Sequence, residues 1–112
     1  MRRNAAHRVE SLVRGSVSAV LVVTGENWTD LGAAIGLTTD TVSRRQRGYS
    51  LWTIADLGRL ADHWQIAASS LIAGPNDALS ELQPSRVDSI RSAKGLAAWE
   101  GTLPAWVGAL AA

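Results

Sequence analysis

"LGAAIGLTTDTVSRRQRG", residues 31–48, sets a glycine between two short runs that each carry a helical rhythm. Leu31 and Ile35 stand four apart before Gly36, and Val42 follows beyond it, whereas Thr39, Asp40, Ser43, Arg44 and Arg47 are all polar. At about 100° per residue these five positions fall within an arc of about 140°, so the second run is expected to be a helix with one wholly hydrogen-bonding face. Gly36 can adopt the left-handed conformation that a sharp reversal needs, Leu37 plugs the turn, and Thr38 is a good N-cap. No breaker interrupts residues 39–47, and Gly48 closes the run.

The flanks supply more helices. Val9, Leu12, Val13, Val17, Val20 and Leu21 recur at three- and four-residue steps and predict a helix over about 5–23, which Gly25 ends. Asn27 stands three residues before Asp30, a carboxylate variant of the capping box, and starts a short helix at Trp28. Thr53 and Asp56 repeat that spacing and open "IADLGRLADHW", where Ile54, Leu57, Leu60, Ala61 and Trp64 form an inward stripe. "ASSLIA" (68–73) is the last short helix before the Gly74-Pro75 breaker. Five helices without a strand pattern predict an all-α domain over 1–74, in which 1–7 is a basic arm. Residues 75–112 are expected to form a short helical extension. Ser85 caps a helix there to about residue 99, with Val87, Ile90, Ala93 and Ala97 on one side, and Pro104 starts a final turn carrying Trp106, Val107 and Leu110.

Composition narrows the function classes. A chain of 112 residues, 46% apolar, has room for one domain and a short appendage. The net charge is only +1, but residues 1–74 hold eight arginines against six acids and 75–112 hold three basic residues against four acids. The positive charge thus gathers at Arg2, Arg3, Arg44, Arg45 and Arg47, and for a nucleic-acid partner its position matters more than its sum. The lack of cysteine excludes disulfides, thiolate chemistry and the usual zinc-finger ligand sets, and fits a reducing cytoplasm. His7 and His63 are the only imidazoles, and no paired catalytic groups stand at a telling spacing, so an enzyme, a metal site and a cofactor are not expected. His63 itself reads as an exposed helix residue. No window of about 20 apolar residues occurs, so no membrane span is expected, and "AVLVV" (19–23) is too short for a signal-peptide core.

Taken together, the helix, the glycine turn, the threonine-capped helix, and the later "LADHWQI" and "SSLI" resemble the lambda-repressor/Cro (XRE) helix-turn-helix family over about 8–74. The resemblance implies a five-helix lambda-repressor-like domain whose third helix enters the major groove. It implies that Thr39, Asp40, Ser43 and Arg44 touch base edges. Asn27, Trp28 and Thr29 would lie against a phosphate at the start of the preceding helix, with Thr38, Arg47, Tyr49 and Ser50 on phosphates nearby. Arg45 departs from the pattern, because the family often places an apolar or aromatic residue there, and its expected course is past the core to a phosphate. Asp40 would repel phosphate, so it is expected to discriminate, by accepting from a cytosine amino group or by rejecting wrong bases. Arg2 and Arg3 read either as an arm entering the minor groove or as a basic N-terminus without a role. Trp28, Trp52 and above all Trp64 read as packing more than as base stacking.

The function implied is that of a bacterial or phage regulator of the repressor/Cro type, in the sub-type of a temperate-phage switch protein, cytoplasmic and bound to double-stranded operator DNA. The apolar side of the extension reads either as a homodimer surface or as a face that packs back on the first helix. The final "ALAA" resembles the end of the tag that bacteria add to stalled translation products, in which the ClpX unfoldase grips Leu-Ala-Ala; Leu110, Ala111 and Ala112 match it. A buried tail cannot be gripped, so the dimer and degron readings compete. The rival from another class is an antitoxin or adaptor whose residues 76–112 wrap a protein partner.

Overall fold

The axis of the structure is α1 (Arg2–Thr24), 23 residues and therefore about 35 Å long. Its C-terminal half is covered on nearly every side: Val17, Ala19, Val20 and Val23 are buried, and Ser16, also buried, donates its hydroxyl to the Leu71 carbonyl at 2.8 Å. The computed structural model describes residues 2–101, with side chains from residue 5, and contains seven helices and no strand among them. After α1 come α2 (Trp28–Ile35), α3 (Thr39–Gln46), α4 (Ile54–Trp64), α5 (Ala68–Ala73), α6 (Pro75–Glu81) and α7 (Pro84–Ala93). The expected all-α class holds. The expected five helices stand at their places, but two more continue the fold. No helix among the described residues is long and apolar enough to cross a membrane.

Four readings of the sequence need correction. The Gly74-Pro75 pair does not end the fold. Gly74 takes φ +125°, which side chains rarely adopt, and Pro75 becomes the first residue of α6, where its missing N–H costs nothing. Likewise α7 starts at Pro84 and ends at Ala93, short of the expected residue 99, because the chain turns at Lys94 and Gly95. The residues expected as a free basic arm are helical from Arg2 onward, in a stretch that contains no breaker. Ile54, placed in the inward stripe of α4, is 89% exposed; it is the first residue of that helix, before the stripe reaches the core at Leu57, Leu60 and Trp64.

One core joins all seven helices. Val13, Val17 and Val20 of α1 share it with Leu31 and Ile35 of α2, Val42 of α3, Leu60 and Trp64 of α4, and Leu71 of α5. It continues past residue 74 through Ala78, Leu82, Val87 and Ile90. Each fully buried Leu or Val side chain contributes about 1.5–3 kcal/mol relative to an exposed one. Val87 and Ile90 lie against this core, so the extension packs back on the first helix as far as residue 90. The final turn at Pro104 and the degron residues Leu110, Ala111 and Ala112 lie outside the described residues.

Two long-range polar ties close the rear of the fold. Glu26, between α1 and α2, is 9% exposed and accepts from Thr24 Oγ1 at 2.8 Å and Trp64 Nε1 at 2.9 Å, and its other oxygen lies 2.7 Å from His63 Nε2. Arg86 of α7 reaches the same place, donating to the His63 carbonyl at 2.8 Å and facing Nδ1 at 3.4 Å. A guanidinium donor at Nδ1 fits the tautomer that carries its proton on Nε2, toward Glu26. The His63 side chain of α4 is thus 14% exposed and held by Glu26 of the α1–α2 connection and by Arg86 of α7, not the free surface residue expected from the sequence. Burial works to raise the Glu26 carboxyl, but the bonds from His63, Trp64 and Thr24 outweigh it and hold the group below the usual glutamate range.

Candidate nucleic-acid interface

The turn between α2 and α3 is built from local rules. Asn27 and Asp30 exchange side-chain and backbone bonds of 2.8 and 2.9 Å, the reciprocal cap expected at Trp28. Gly36 takes φ +77° and ψ +28°, and its N–H and that of Leu37 both return to the Gly32 carbonyl. Thr38 then caps α3 by accepting from Thr41 N at 3.1 Å, a bond of about 1 kcal/mol at such a position. Gly32 has a second function that the sequence reading missed. A side chain there would have its Cβ 2.5 Å from the Leu37 carbonyl oxygen, so only glycine lets α2 and the turn approach this closely.

The inner side of α3 is anchored along its length. Val42 is fully buried. Gln46 donates to the Arg14 carbonyl at 3.1 Å and to Ser18 Oγ at 3.0 Å, both on α1, and accepts from Trp52 Nε1 at 2.9 Å. Arg45, expected to run out to a phosphate, turns to the fold instead, with its side chain 18% exposed. Its Nε lies 2.8 Å from Asp56 Oδ2 and its other nitrogen 3.1 Å from Ser50 Oγ. Asp56 is therefore both the N3 partner in the α4 cap and the anchor for α3. Burial works to raise its carboxyl, and the Thr53 backbone N–H and Arg45 hold it below the usual aspartate range.

The outer side is free. Thr39, Asp40 and Arg44 are exposed and Ser43 is half-buried, and no other described residue draws Asp40, Ser43 or Arg44 into a side-chain hydrogen bond or ion pair. Thr39 donates to Thr29 Oγ1 at 3.0 Å, which ties the starts of α2 and α3 together. Asn27, Thr29 and Thr38 are exposed around this junction, and Trp28 is half-buried. The Arg47 guanidinium lies 5.7 Å over the Trp28 ring, within cation–π range, so the end of α3 meets the start of α2. Tyr49 is 72% exposed on the following loop, whereas Ser50 is half-buried and held by Arg45. An open depression lies beside the junction, lined by Ser18, Asn27, Trp28, Thr29 and Thr39 among others.

Lys94 joins the same region from the far end of the chain. Its Nζ lies 2.5 Å from Asp30 Oδ2 and 2.9 Å from the Gly25 carbonyl, so α7 steadies the α1–α2 turn. The Asn27 backbone N–H and Lys94 hold the Asp30 carboxyl below its usual range. No spacing rule connects Lys94 with Asp30, which explains why the sequence was silent about it.

The structure thus defines, over the described residues, an all-α chain that presents one short polar helix, pinned from behind and exposed in front. The BetR domain family model matches residues 7–111, and the chain belongs to that family. No significant match is found among curated proteins or among solved structures.

Proposed function

We propose that this chain is a sequence-specific DNA-binding transcriptional regulator of the lambda-repressor/Cro type, reading operator DNA with α3. The observation that carries the reading is the division of α3 into two sides. Val42, Arg45 and Gln46 fix it to the core, while the side chains of Asp40, Ser43 and Arg44 bond to no other described residue and Thr39 is tied only to Thr29. Such an arrangement suits a base reader, whose side chains must be positioned before binding and must find their hydrogen bonds on the ligand. Eight residues make α3 about 12 Å long, and the major groove is about 12 Å wide. Arg44 would bond a guanine edge, Thr39 and Ser43 would approach neighbouring bases, and Asp40 would accept from a cytosine amino group or reject other bases. Asn27, Trp28, Thr29, Thr38 and Arg47 would set the register on the phosphates, with Tyr49 beyond them. Arg45 is assigned to positioning.

The antitoxin or adaptor reading draws less support. Its partner-wrapping segment begins at residue 76, yet Ala78, Leu82, Val87 and Ile90 of that segment belong to the chain's own core. Selection of bound fragments from random duplex DNA at fixed salt tests the proposal. The expected result is a defined motif, and Arg44→Ala is expected to relax preference at one position at a cost of about 1–3 kcal/mol. Equal affinity for every fragment, or equal loss on every fragment with Arg44→Ala, rejects it.

A further inference from the structure

The last turn of α7 closes over the place where α1 hands the chain to α2. Arg91 donates to the Val23 carbonyl at 3.1 Å and Lys94 to the Gly25 carbonyl at 2.9 Å, so two cations satisfy carbonyls left open at the C-terminal end of α1. Leu96 lies against Gly25, where φ is +75° and a Cβ would collide with the leucine side chain. The Lys94 ammonium also sits 2.5 Å from Asp30 Oδ2, and that oxygen accepts the Asn27 backbone N–H at 2.9 Å. One carboxylate oxygen therefore links the end of α7 to the N-terminal cap of α2.

That link bears on charge as well as on shape. Asp30 is the only acid in the first turn of α2, where it suits the helix dipole but would repel a phosphate set against Asn27, Trp28 and Thr29. Among the described residues Lys94 is the cation paired with it, and both side chains are 35% exposed. We infer that Lys94 sets the affinity of this end of α2 for the DNA backbone by cancelling the charge of Asp30, which makes the end of α7 part of the nucleic-acid surface. This role rests on the proposed DNA reading and adds to it a positioning residue, since Lys94 acts through Asp30. The pair is neutral as it stands, negative without Lys94, positive without Asp30, and neutral again without both. A lysine that only braced the turn, or that touched the phosphate itself, would not be replaced by removing the carboxylate.

Fluorescence-anisotropy titrations of the full chain against a labelled random-sequence duplex and a selected fragment test it. At about 0.1 M salt Lys94→Gln is expected to bind both duplexes about three- to tenfold more weakly than wild type, with the gap narrowing as salt rises. Lys94→Arg keeps the charge and should stay within about twofold of wild type. Asp30→Asn should bind about threefold or more tightly than wild type, and Asp30→Asn with Lys94→Gln should return to within about twofold of it. Far-UV circular dichroism at the assay temperature checks that helicity is kept; if Lys94→Gln loses it, Asp30→Asn decides alone. Equal binding by Lys94→Gln and wild type, a double variant as weak as Lys94→Gln, or an Asp30→Asn variant no tighter than wild type overturns the role of Lys94 and leaves the operator reading standing. A wild type that binds neither duplex removes the operator reading and this role with it.

Discussion

Two glycines in helix interiors should answer the same substitution in opposite directions. Gly58 lies exposed within α4, and a Cβ built there meets nothing within 4 Å. Gly58→Ala then acts only through backbone entropy and helix propensity, and should stabilise the protein by about 1 kcal/mol. Gly32 lies buried within α2, where the same Cβ would stand 2.5 Å from the Leu37 carbonyl oxygen. A separation below 3.0 Å is not tolerated, so the oxygen must retreat by at least 0.5 Å. That oxygen is backbone, in the turn that sets α3 against α2, and it cannot rotate aside as a side chain could. Overpacking of this kind costs about 1–3 kcal/mol. Set against the same propensity gain, Gly32→Ala should range from neutral to about 2 kcal/mol destabilising. The difference between the two variants isolates the close approach, and should be about 1–3 kcal/mol. Urea titrations of wild type and both variants give it directly from the midpoints, provided the slopes agree. In a chain of this size each kcal/mol moves the thermal midpoint by about 4–8 °C. If Gly32→Ala stabilises as much as Gly58→Ala, the close packing of α2 on the turn is refuted.

Arg45→Ala should lower stability by about 1.5–3 kcal/mol, because the nearly buried Asp56 carboxylate loses a charged donor and keeps Thr53 and the more exposed Arg59; a urea midpoint within error of wild type contradicts the anchor. Glu26 and Asp56 have carboxyls held below their usual range, so the stability they add is present above the unfolded-state carboxylate pKa of about 4 and is lost as pH falls through the folded values. Glu26→Gln should therefore be less stable than wild type at pH 7, with the gap closing toward about pH 3. A gap that stays constant in urea titrations at the two pH values removes the carboxylate from the account. Arg47→Ala should weaken binding to all duplexes alike and reduce the salt dependence by about one phosphate contact. A change confined to one base position, seen in binding titrations at several salt concentrations, would instead place Arg47 among the base readers.

Sequence and structure divide along the distance over which each interaction acts. The caps at Asn27, Thr38 and Thr53, the left-handed glycine at 36 and the buried Leu31, Val42 and Trp64 were all legible in the chain. They depend on residues three or four apart, and helical geometry alone places such neighbours together. The polar set from Thr39 to Arg44 was legible for the same reason, since one helix face follows from spacing. Other features required the crossing of helices. Glu26 meets His63 across 37 positions, Lys94 meets Asp30 across 64, and Arg45 turns inward only because α4 presents Asp56 to it. Ile54 fits the inward rhythm of α4 yet lies in water as the helix's first residue, although Asp56 and Leu57 of the same turn are buried. The sequence by itself determined the helices, their caps and the polar face. Tertiary packing decided which charges are anchors, which apolar side chains remain outside, and that the chain beyond Gly74 completes the core, since those depend on contacts that no local period encodes.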